Sequence, residues 1–131
     1  MSNIKALFFL LFLFVISGCG EVSNNVFTDN QICMATVSAT MRRDLSIIKV
    51  DSVNNGIINL TYVRPSDQTI WKTRCKLNGN EVIWATDTGR WRTSQHDPII
   101  RYSESGNLLT ITQVYYDGSE GYTRFDLSQF Q

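Results

Sequence analysis

Residues 69–86 read TIWKTRCKLNGNEVIWAT. In the first half, Trp71, Thr73, Cys75 and Leu77 alternate with Ile70, Lys72, Arg74 and Lys76. That period of two belongs to a strand with one dry and one wet face. Asn78-Gly79-Asn80 then supplies turn chemistry, and Glu81–Thr86 resumes a β-branched and aromatic run. The stretch predicts an antiparallel hairpin, with Cys75 on its dry side and three cations on its wet side.

The same texture extends both ways. Upstream come LSIIKVDSV (45–53) and IINLTYVR (57–64); downstream come RWRT (90–93), IIRYSES (99–105), NLLTITQVYY (107–116) and GYTRFDLS (121–128). Asn54-Asn55-Gly56, Pro65–Gln68, Asp87-Thr88-Gly89, Ser105-Gly106 and Asp117–Gly121 punctuate them. Ile58, Leu60 and Tyr62 alternate with Asn59, Thr61 and Val63, and Tyr102 alternates with Arg101. No helical pattern lies between the runs, so a parallel sheet is excluded in favour of an antiparallel meander.

The one helical segment precedes the sheet. In DNQICMATVSATM (29–41), Cys33, Val37 and Met41 recur every four residues, and Ile32, Ala35 and Ala39 widen that stripe. Thr28 or Asp29 is placed to cap it. Small residues at Ala35, Ser38 and Ala39 allow close approach to another element. The fold class expected is α+β: one N-terminal helix packed on a curved meander of six to eight strands. Alternation leaves open whether that sheet goes on to a barrel-like closure.

Composition sets bounds on function. The chain has 131 residues, 43% of them hydrophobic and 18% charged, as in a single globular domain. Lys plus Arg equals Asp plus Glu at 12 each, which gives no global attraction to nucleic acid.

The first 19 residues, MSNIKALFFLLFLFVISGC, are a different kind of sequence. Lys5 precedes 11 unbroken apolar residues, Ala6–Ile16. As a helix these span about 16 Å, roughly half a bilayer core, so they read as a cleaved secretory leader. Ile16-Ser17-Gly18-Cys19 resembles the lipobox of bacterial lipoproteins: an aliphatic residue, two small ones, then cysteine. The resemblance implies cleavage before Cys19 and lipidation of Cys19 on its sulfur and new amino group. Three acyl chains exceed what stable anchoring needs. It also implies a place in the cell envelope. Gly20, where enteric-type lipoproteins retained in the inner membrane carry Asp, points to the outer membrane facing the periplasm in a Gram-negative host. The organisation expected is leader 1–18, lipidated cysteine and tether 19–27, and one domain over 28–131. An eight-residue tether reaches at most about 26–29 Å, which keeps the domain close to the membrane.

Cys33 and Cys75 remain once Cys19 carries lipid, and an even pair in an exported chain reads as a disulfide. Two buried free thiols are the alternative. One histidine and no close cysteine pair give no metal-site pattern, and no cofactor motif is present.

Asp87-Thr88-Gly89 matches the triplet of aspartic proteases, which need two carboxylates sharing one proton. Here Ala85-Thr86 precede it, Arg90 follows it, and no second apolar-Gly element appears. Arg90 beside it would also hold Asp87 ionised. The triplet therefore reads as a turn between the strands carrying Trp84 and Trp91. His96, with Ser94 and Asp97 nearby in TSQHDP, reads as a loop residue, because a triad is made by convergence in space.

Two recognition features remain. One is the basic stripe Lys72, Arg74 and Lys76, which Arg64 of the adjacent run could extend; its bland reading is a solvated sheet face. The other is Arg90-Trp91-Arg92, because Trp and Arg are the residue types enriched at interface hot spots. Trp71 and Trp84 read as core fillers. Of Tyr115 and Tyr116, one should be outside. The reading is a non-enzymatic, lipid-anchored envelope module with a protein or other envelope partner and no nucleic acid. The alternatives are a periplasmic hydrolase using Asp87 or His96, and a small-ligand carrier with a cavity among the inward strand residues.

Overall fold

A computed structural model describes residues 25–131. The readings of the leader, the lipobox at Cys19 and most of the tether lie outside the described residues. Among the described residues, no helix is long and apolar enough to cross a membrane.

Helix α1 spans Asp29–Met41, the expected bounds. A reciprocal capping box starts it: Gln31 N–H donates to Thr28 Oγ1 at 3.2 Å, and Thr28 N–H donates to Gln31 Oε1 at 3.0 Å. Arg42 ends it in the left-handed region with φ 53°. Ser38 Oγ then donates to Arg43 O at 2.6 Å and holds the exit. Ile32, Cys33, Ala35, Thr36, Val37 and Ser38 are all buried. Those positions go almost round the helix, so α1 is wrapped by its neighbours and not merely laid on them.

The chain continues through a 3-10 turn, Leu45–Ile47, into strands β1 (Lys49–Asn54), β2 (Ile57–Val63), β3 (Ile70–Asn78), β4 (Glu81–Thr86), β5 (Ile99–Ser105), β6 (Leu108–Val114) and β7 (Glu120–Asp126), and ends in a 3-10 turn, Leu127–Phe130. All neighbours are antiparallel and in chain order. Asn55 and Gly56, with φ 51° and 76°, make the two-residue turn of the β1–β2 hairpin, where both central residues need positive φ.

The expected meander is present with seven strands, and two expectations are corrected. The sheet does not close into a barrel: β1 and β7 are its two edges. Its curvature brings the turns Leu45–Ile47 and Leu127–Phe130 into contact, but no backbone ladder joins the edges. Residues 90–93 are not a strand. β4 and β5 pair only at Glu81↔Arg101 and Val82↔Ile100, and irregular chain fills the gap. The Asp97 carboxylate accepts from Ser94 N–H at 3.0 Å, from Ser94 Oγ at 2.9 Å and from Arg90 at 2.6 Å. These side-chain bonds to nearby backbone and side chains offer the segment an alternative to ladder pairing.

The inner face of the sheet carries Ile58, Leu60, Tyr62, Cys75, Val82, Ile100, Leu109, Ile111 and Phe125, all buried against α1. Cys33 of α1 and Cys75 of β3 form a disulfide across this core, with Cα atoms 5.9 Å apart. Closing a loop of this length stabilises by about 4 kcal/mol in the chain-entropy model. Phe27 is buried too, edge-on to Phe130 at 5.8 Å, with its N–H donating to Glu104 Oε1 at 2.8 Å. The packed domain thus begins one residue before the expected boundary.

Candidate binding face

Among the described residues, no helix lies on the outer face of the sheet. On β3 it presents Ile70, Lys72, Arg74 and Lys76, opposite Val63, Thr61 and Asn59 of β2. This is the wet side expected from alternation. Among the described residues, none of Lys72, Arg74 and Lys76 has a carboxylate within ion-pair distance.

The irregular segment returns Trp91 to this face. Its ring centroid lies 4.6 Å from the Arg74 guanidinium and 4.1 Å from Lys76 Nζ. Both separations are within cation–π range. Arg74 also donates from Nε to Thr86 O at 3.0 Å and from a terminal nitrogen to Gly89 O at 2.5 Å. It therefore fixes the bend that delivers the indole. A Cβ at Gly89 would run into the Thr86 hydroxyl, so any larger residue there makes the Thr86 side chain turn away. Ala85, opposite Arg74 on the same face, has no exposure beneath this cover. Two features that are separate in the chain, the stripe and Trp91, form one cationic-aromatic patch.

The arginines flanking Trp91 do not join it. Arg90 makes a two-pronged ion pair with Asp97, at 2.6 and 3.1 Å. It holds the Asp97 carboxyl well below the usual carboxylate range, with help from Ser94. Arg92 donates its N–H to Trp84 O at 2.9 Å, and its guanidinium lies 5.3 Å from the Trp84 ring on the inner side. Arg64 does not extend the stripe. It pairs with Asp67 and lies 4.8 Å over the Trp71 ring, and it holds the Asp67 carboxyl far below its ordinary value.

Trp71 corrects the core-filler reading. It points to the inner face and stacks on Tyr62 at 6.4 Å, but it lies beyond the last β4 pairing at Thr73↔Thr86 and is 38% exposed. Trp84, half-buried against the core, fits that reading. Trp71 and Ile70, the latter 66% exposed, line an open groove of about 560 Å³ together with Arg64, Lys72, Thr86 and Asp87. Alternation alone does not reveal this groove, because it depends on where β4 stops. Both Tyr115 and Tyr116 are exposed, since β6 ends at Val114.

The residues of the enzymatic alternative are dispersed in their contacts. Asp87 is an exposed bend residue whose N–H donates to Lys72 O at 3.2 Å. Arg90 turns to Asp97 and not to Asp87. The bend leads into irregular chain instead of joining two strands. The His96 ring packs on Tyr116 at 4.7 Å, while the Ser94 hydroxyl donates to Asp97. The carrier alternative needs a chamber where Val37, Leu60, Leu109 and Ile111 are packed with almost no exposure.

No protein-family model matches the chain, and no curated protein or solved structure matches it significantly.

Proposed function

We propose that this protein is a lipid-anchored envelope module that binds a partner through the outer face of its sheet, without catalysis. One observation carries the reading: three cations without carboxylate partners and a half-buried indole share a face that no helix or strand of the described chain covers. Clustered positive potential favours a partner with an acidic surface, and a Trp–Arg centre suits the desolvated middle of an interface. The exposed Ile70 at one end of the stripe adds apolar area to it. The anchor reading rests on the lipobox resemblance at Cys19.

Photo-crosslinking in native membranes tests the binding face. A photoreactive residue at Lys72 should give a discrete adduct, and one at Met34 on α1 should not. Equal labelling from both positions would sink the proposal. The anchor is tested separately: Cys19→Ala should leave the chain without lipid and out of the membrane fraction. Membrane retention of that variant after loss of its leader would contradict the lipobox reading.

A further inference from the structure

The two edges of the sheet are built differently. β1 is interrupted: its register on β2 shifts between Val50 and Ser52, leaving Asp51 as an exposed bulge residue, and Lys49 flanks it. Bulges and lysines are the usual guards against edge pairing. β7 has neither. It runs in unbroken register on β6 for seven residues, from Val114↔Glu120 to Leu108↔Asp126, with no proline, lysine or bulge. Among the described residues, no strand lies on its far side.

The outer-face side chains of β7 are Glu120, Tyr122, Arg124 and Asp126, in register with outer-face residues of β6. Among the described residues, neither Glu120 nor Arg124 is in an ion pair. The Tyr122 hydroxyl donates to Glu120, and its ring is 57% exposed. Written in order, the face reads acid, aromatic, base, acid, a pattern that can be set against itself.

We propose that β7 pairs antiparallel with β7 of a second copy, about a two-fold axis at Tyr122. In this register Glu120 lies opposite the partner's Arg124, and the reciprocal pair forms on the other side of the axis. The two Tyr122 rings meet between them. Opposite charges and aromatic pairs directly across an antiparallel ladder are favourable, and like charges are not. The register centred on Thr123 would instead set Glu120 against the partner's Asp126. Charge therefore selects the Tyr122 register. The interface is isologous and closes at two copies.

The axis stands perpendicular to the sheet at β7, so the outer faces of the two β7 strands look the same way. The dimer itself rests only on β7 and stands or falls independently of the binding-face reading.

Cysteine trapping in native membranes tests it. Directly opposed Cβ atoms across such a ladder are about 4.5–5.5 Å apart, within reach of a short bifunctional methanethiosulfonate that joins two thiols through reducible bonds. Tyr122→Cys should give a reducible dimer at least five-fold above Ser52→Cys, which sits on the guarded β1 edge. Adding Glu120→Arg to Tyr122→Cys should cut the dimer at least five-fold, and further addition of Arg124→Glu should restore it. Folding of each variant is read from the alkylation-protected Cys33–Cys75 bond. Equal trapping at positions 122 and 52, or trapping at 122 that ignores Glu120→Arg, would overturn the proposal.

Discussion

The two faces of one sheet come from the same strands, yet they do opposite work. On β3, Thr73 and Cys75 point inward and are sealed against α1, while Lys72, Arg74 and Lys76 point outward, with no carboxylate beside them among the described residues. The inner face spends its residues on packing and a disulfide. The outer face carries charge and an indole that packing alone does not call for. Alternate residues of a strand can thus be read as two sequences under two demands, one for stability and one for contact.

The largest effect should come from breaking the inner face at its staple. Replacing Cys33 and Cys75 together by Ala should lower unfolding stability by about 4 kcal/mol, measured by urea unfolding. Truncation within the core comes next: Leu60→Ala should cost about 2–5 kcal/mol, because little around it can collapse into the void. On the outer face, Ile70→Ala should stay within about 0.5 kcal/mol. Comparable losses for Leu60→Ala and Ile70→Ala would erase the distinction between the faces.

Trp91 sharpens the comparison because it is on the outer face but partly covered. Trp91→Ala should cost about 0.5–1 kcal/mol for each of the two cation–π contacts, plus the exposure of Ala85. A change near zero would mean that the indole does not hold the irregular segment down.

The smallest effect is a local one with pH. Arg90 and Ser94 lower the Asp97 carboxyl in the folded chain, so the folded value lies below the unfolded one. The stabilisation is therefore complete above the unfolded Asp value of about 3.9 and is lost as pH falls below it toward the folded value. Trp91 fluorescence should report release of residues 87–98 on acidification below about pH 4. Asp97→Asn should remove that acid step.

Much of the fold was legible in the sequence because its signals are local. The bounds of α1 follow from Thr28 and a continuous helical stripe, and β2, β3 and β4 follow from alternation and turn residues. What was not legible depends on tertiary reach. Arg90-Trp91-Arg92 has strand-like composition, but the bonds that Asp97 accepts pull it out of the ladder. Alternation gave the direction of Trp71 correctly, but its exposure depends on where β4 stops pairing with β3. The stripe and Trp91 were each visible in the chain. Their meeting was not, since it requires Arg74 to hold the carbonyls of Thr86 and Gly89. Nor does alternation show whether a curved sheet closes, because that depends on cumulative twist and not on any single strand.

The outer face of β3 is set apart by binding, while stability rests chiefly on the inner face. The most direct measurement pairs adduct yield with unfolding in one variant, Lys72→Glu/Lys76→Glu, with the photoreactive residue placed at Ile70. At least a ten-fold loss of adduct is expected in native membranes, with unfolding stability lowered by no more than about 1 kcal/mol, the worth of the Lys76–Trp91 contact. Full adduct yield in that variant would contradict it.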